Sequence, residues 1–148
     1  MEIKFTVILE PKAQKRARSR AITSNGRSYA MTYKDKDQRL EENKLLTLML
    51  PYRPQVPLQG PLALGVKVFL PIPQSKPKKF QAGALAGAIR PTTKPDLDNL
   101  LKHFKDVCTG IFWQDDRQIV EYLPGTGKYY GEPARWEIEI KPLNGPMV

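Results

Sequence analysis

Residues 2–9 alternate, with Ile3, Phe5, Val7 and Leu9 on one side and Glu2, Lys4 and Thr6 on the other. That period of two predicts a half-buried strand. LALGVKVFL (62–70) predicts a second strand, and ARWEIEIKP alternates again and predicts a last one. Over residues 97–109 the period changes. At about 100° per residue, Leu97, Leu100, Leu101, Phe104, Val107 and Cys108 share one face of a helix, and Asp98, Lys102, Lys105 and Asp106 share the other. Gly110 is placed to stop that helix. KDKDQRLEENKLLTLML (34–50) predicts another helix, acidic early and apolar late. Lys78 to Ala88 has a weaker helical pattern because of its glycines. On these patterns His103 lies on the helix flank and is solvated, and Cys108 is a small core residue. Trp113 packs beneath the turn at Asp115–Asp116, and Trp136 joins the sheet core.

The remaining stretches lack a period. PKAQKRARSRAITSNGRSY (11–29) reads as a basic loop or arm with a turn at Asn25–Gly26. PYRPQVPLQGP carries four prolines, PIPQSKPKKFQAGALAGAIRPTTKP is a proline-bounded connection, and IFWQDDRQIVEYLP reads as a turn and a strand. The order β–loop–α–β–α–α–β–β, without repeat or linker, predicts one small α/β (α+β) domain over residues 1–148. Its sheet is mixed or antiparallel and packs with two to three helices.

Charge changes the picture. The net charge is +9, which points to a polyanion, nucleic acid ahead of an anionic membrane. Seven Lys/Arg and no acid fall between Pro11 and Lys34, and eight and none between Asn43 and Pro95. A basic solvated face is the plain alternative, but an ordinary surface intersperses both signs. One cysteine and one histidine argue against a disulfide, a zinc site or a histidine-based triad. No apolar run is long enough to span a membrane, and the N-terminus reads as a strand rather than a signal peptide, so the expected location is cytoplasmic.

Acids return at Asp96 and Asp98, then Asp106, then Asp115–Asp116. An aspartate at a helix start caps it or favours its dipole, and a DD pair is often a turn. Clustered carboxylates have a second use. At 4 Å they repel by about 1 kcal/mol per pair in water, and by several at lower effective dielectric. A hard divalent cation such as Mg²⁺ relieves that repulsion and binds phosphate oxygens with its remaining positions. On a basic surface this suits phosphodiester cleavage. Lys102, one turn after Asp98 on the polar face, either positions a scissile phosphate or pairs with Asp98 or Asp106. A calcium loop of the EF-hand type is excluded, because Leu100 and Leu101 stand where an oxygen ligand and a glycine are needed.

KPDLDNLLKHFKDVCTGIFWQDDRQIVEY (94–122) resembles the core of the RusA family of Holliday junction resolvases. Asp96, Asp98, Asn99, Leu100, Lys102, Gly110, Trp113, Asp115, Asp116, Gln118, Ile119 and Val120 carry the resemblance. The N-terminal strand with PKAQKRARSR, and PIPQSKPKK, resemble phage-type members, although Ala17 stands where many have proline. The resemblance implies a RusA-like fold and a Mg²⁺-dependent endonuclease, with Mn²⁺ a possible substitute. It implies paired nicks in four-way DNA junctions by a homodimer, in a bacterial or phage-infected cell. It implies Asp96, Asp98 and Asp116 as catalytic metal ligands, with Asp115 a further match, and Lys102 as the essential lysine. Lys12, Lys15, Arg16, Arg18, Arg20, Lys76, Lys78, Lys79 and Lys94 are the candidate phosphate contacts. Two alternatives stay open: a metal nuclease for flaps or forks, and a non-enzymatic basic DNA-binding protein whose aspartates are caps and turns.

Overall fold

A computed structural model describes residues 2–13, 18–24, 27–33 and 36–143. The first alternating stretch forms β1 (Ile3–Val7) and the last forms β7 (Arg135–Pro142). They pair antiparallel, with Phe5 opposite Ile138 and Val7 opposite Trp136, so their apolar positions share one face. On its other side β7 pairs antiparallel with β4 (Leu62–Leu70). The far edge of β4 carries two short parallel partners. β5 (Ile119–Tyr122) runs beside its first half and β6 (Gly127–Tyr130) beside its second. β4 is thus flanked on both edges, which suits its nearly continuous apolar sequence. The result is a five-stranded mixed sheet.

Among the described residues three α-helices complete this α+β fold: α1 (Lys36–Met49), α2 (Lys78–Leu85) and α3 (Leu97–Cys108). Leu45 and Met49 of α1 and Leu100, Leu101, Phe104, Val107 and Cys108 of α3 join one core with Phe5, Val7, Leu64, Val66, Val68, Trp136, Ile138 and Ile140. Each large apolar side chain buried there contributes about 1.5–3 kcal/mol. The opposite sheet face presents Lys4, Thr6, Lys67, Glu137 and Glu139 around a shallow pocket. Among the described residues no helix is long and apolar enough to cross a membrane.

Three expectations need correction. The segment read as a basic loop is partly regular. β2 (Arg18–Ser24) and β3 (Arg27–Tyr33) pair antiparallel as a separate two-stranded sheet, Arg18 opposite Tyr33 and Ile22 opposite Tyr29. The β-branched and aromatic residues Ile22, Thr23, Tyr29, Thr32 and Tyr33 outweigh the charge that suggested a loop. The expected Asn25–Gly26 turn lies outside the described residues. β6 is a strand that the expected order lacked. Finally, His103 is not solvated: it is 2% exposed. At about 100° per residue it lies only about 40° from Val107 around α3, inside the arc covered by the sheet, with its ring 6.3 Å from that of Trp136.

Candidate active site

The acidic pair enters at the start of α3. Asp96 occupies the N-cap position in extended conformation, yet its side chain makes no capping hydrogen bond. The plain explanation of Asp96 as a side-chain cap is therefore not the one the fold uses. Asp98 follows in the first turn, and both are exposed. Lys102 does not turn toward Asp98. Its Nζ lies 3.6 Å from Asp106 Oδ2, with the lysine side chain 67% exposed. Such a surface pair contributes about 0–1 kcal/mol, so little holds the ammonium against a competing phosphate.

The second acidic pair lies at the other end of the helix. α3 stops at Thr109, and Gly110 turns the chain with φ +86°. Its N–H donates to Trp113 O at 2.6 Å. The turn is tight, so Asp115 and Asp116 follow at once, beside the C-terminus of α3. Asp116 Oδ1 accepts from Thr109 Oγ1 at 2.5 Å and from the buried Trp113 indole N–H at 3.2 Å. Trp113 thus lies beneath the turn as expected, and its N–H fixes Asp116. Asp115 caps a single 3-10 turn, Asp116–Gln118: its Oδ1 accepts from Arg117 N at 2.9 Å and faces Arg117 Nε at 3.2 Å. The Arg117 backbone N–H, and then the Arg117 side chain, hold its carboxyl below the usual carboxylate range. Cys108 lies buried close by, and burial, with the charge of Asp116 second, pushes its thiol well up.

Gln118 fixes the whole turn. Its Oε1 accepts from Gln114 N (2.9 Å) and Asp115 N (3.0 Å), while its Nε2 donates to Leu58 O (2.8 Å) and Gly60 O (3.0 Å). Its amide uses all its donors and both acceptor positions. From there β5 returns along α3, where Lys105 Nζ donates to Tyr122 Oη at 2.9 Å.

β5 runs back along the helix, but it starts from the end far from Asp96 and Asp98, so it does not bring all the aspartates together. Eleven residues of rise separate Asp98 from Thr109, about 16 Å. Carboxylates are the hard donors that Mg²⁺ prefers. As placed, however, they do not fit an ion: among the described residues no group of three or more His, Cys, Asp or Glu could hold a metal.

The candidate DNA contacts spread over several elements. Lys78 and Lys79 open α2, exposed, and Lys94 is exposed just before Asp96. Lys76 Nζ sits 5.4 Å from the Phe80 ring centroid, and Lys12 lies 3.6 Å from Glu41. Arg18 and Arg20 belong to β2, whereas Lys15 and Arg16 lie outside the described residues. Sequence reasoning missed two cations that hold the segment instead, Arg90 and Lys128, which meet beside Lys94. Arg90 belongs to the same acid-free run, but its contact with residue 128 has no local signature.

The site is thus one aspartate pair at each end of a single helix, in a strongly basic α+β chain. Residues 9–141 match the endodeoxyribonuclease RusA family, and the chain belongs to that family. It is also similar to the uncharacterized protein YqaN of Bacillus subtilis (strain 168), 36% identical over 144 residues that cover 96% of this chain and 97% of the relative.

Proposed function

We propose that the chain is a Mg²⁺-dependent endonuclease, with Mn²⁺ able to substitute, that resolves four-way DNA junctions by paired nicks as a homodimer. The family supports the nuclease, and RusA-type nucleases are generally metal-dependent. The observation that carries the reading is the exposed Asp96–Asp98 pair, whose first member does not cap the helix it precedes. It follows a run of eight cations without an acid. A protein that used these aspartates only for structure would gain most from an Asp96 cap, which is absent.

In this reading Asp96, Asp98 and Asp116 are the metal ligands, and Asp115 serves the turn. One chain separates the first two from the third by most of a helix, so the proposal assigns each ligand set to two chains of a symmetric dimer. Lys102 leaves its weak pair with Asp106 to hold a phosphate beside Asp98. Lys76, Lys78, Lys79 and Lys94 neutralise the backbone, so recognition is of shape rather than base edges. Each phosphate contact should steepen the dependence of log affinity on log salt by about 0.9.

The experiment is cleavage of a synthetic mobile four-way junction and of the matching linear duplex, each with Mg²⁺ and with chelator. Paired nicks confined to the junction and to Mg²⁺ are expected. Mg²⁺-dependent cutting of flaps or forks with the junction left intact would point to the other nuclease reading. No cutting at all, with equal affinity for junction and duplex, would leave a DNA-binding protein.

A further inference from the structure

The segment that delivers Lys94 and Asp96 to the start of α3 is tied to the sheet at two points, 35 and 38 residues away in sequence. Lys128 Nζ, on β6, donates to Thr93 O at 2.7 Å. Arg90 Nε donates back to Lys128 O at 2.9 Å. The Arg90 guanidinium also lies 4.0 Å from the ring centroid of Tyr129, which stacks on Phe69 of β4 at 5.2 Å. Tyr129 is itself held, its Oη donating to Gly125 O at 2.7 Å. The path depends on Gly127, because a Cβ there would stand 2.6 Å from Arg90 Nη2. The two cations are thus crossed, each with its polar head on the other segment's backbone.

We propose that Lys128 and Arg90 are positioning residues for the Asp96–Asp98 segment. They fix its approach to α3 and do not themselves touch the DNA. The inference rests on the nuclease reading above. Three features support it over two loosely solvated surface cations. Lys128 spends its ammonium on a neutral carbonyl three residues ahead of Asp96. Arg90 stacks on an aromatic that the sheet already holds. Both anchors sit on β6, which β4 fixes by pairing Lys128 opposite Val68 and Tyr129 opposite Phe69. A small drift of the segment would displace the carboxylates, and misplacement of that kind is costly in rate even when the groups survive.

Two variants test it. Lys128→Met removes the bond to Thr93. Gly127→Ala displaces the end of the flexible Arg90 side chain while keeping both charges. Backbone amide order parameters of Thr92, Thr93, Lys94 and Asp96 should fall toward the flexible-loop range in each. Junction cleavage should show kcat about tenfold lower with KM and junction affinity unchanged, and Lys128→Arg should restore both the order parameters and kcat. The role is overturned if Lys128→Met cuts as fast as the native chain. It is equally overturned if that variant raises KM alone with a shallower salt slope, which would make Lys128 a phosphate contact. Failure of the nuclease reading looks different: the native chain then makes no cut that Asp98→Asn abolishes, and the positioning role falls with it.

Discussion

Replacing Gln118 by leucine is the sharpest test of how the acidic turn is built. The amide makes four hydrogen bonds, two in part-buried surroundings (Asp115 N and Leu58 O) and two exposed (Gln114 N and Gly60 O). Leucine fits the volume and leaves all four backbone groups without their partner. At about 1 kcal/mol for each part-buried bond and about half that for each exposed one, the loss is about 3 kcal/mol. For a chain of this size the melting temperature should then fall by about 6–12 °C. Gln118→Glu separates the two halves. It keeps both acceptor bonds and turns both donors into lone pairs facing carbonyl oxygens, so it should cost about 1.5 kcal/mol plus the new repulsion. Urea unfolding followed by tryptophan fluorescence reads both variants, since Trp113 and Trp136 are each buried. A leucine variant within about 1 kcal/mol of the native chain would refute the reasoning, because water would then replace the amide at no cost.

Other consequences can be checked as directly. Thr109→Val removes the hydroxyl donor to Asp116 and leaves the Trp113 N–H. Junction cleavage should fall about tenfold with junction binding kept, and Thr109→Ser should restore it. Mixing Asp98→Asn with Asp116→Asn chains should restore single nicking to roughly a quarter of the native rate, because half of random dimers are mixed and each keeps one intact site. No restoration would place the ligand set within one chain. Asp115 has its carboxyl held low by Arg117, so its contribution to stability is present above the ordinary carboxylate range and disappears as pH falls through the folded value. Asp115→Asn should therefore lose less stability than the native chain as pH falls from about 5 through the ordinary carboxylate value and below it. Cys108 should resist iodoacetamide in the folded protein and react once urea unfolds it, because burial keeps its thiol protonated.

Much of this was legible in the chain. The period of two in β1 and β7, and the apolar run of β4, mark elements whose burial is decided by neighbours on a sheet. The stripe on α3 and the stop at Gly110 are equally local. The hairpin of β2 and β3 is hidden in the sequence because arginines and serines interrupt its β-branched and aromatic residues. GKYY is too short for a period to declare itself, so β6 went unseen. His103 followed its polarity instead of its angle, and the angle put it in the core.

The candidate aspartates show the same division. Their spacing and surroundings pointed to one motif, but their positions depend on where the turn after α3 lies. The Gly110–Trp113 contact keeps that turn short and leaves Asp116 at the far end of the helix. The Arg90–Lys128 crossing joins residues 38 apart, and nothing local announces such a contact. Gln118 stood in the motif without a role until its four bonds supplied one.

The most direct measurement of the central claim is Mg²⁺-dependent cleavage of a mobile four-way junction by the native chain beside Asp98→Asn, with binding measured on the same junction. The account predicts paired, symmetric nicks from the native chain, none from the variant, and junction binding that is kept or tightened once a repulsive carboxylate is gone. Equal cleavage by the two proteins would remove Asp98 from the chemistry. Binding without cleavage by either would make the aspartates of DLDN helix-start residues and nothing more.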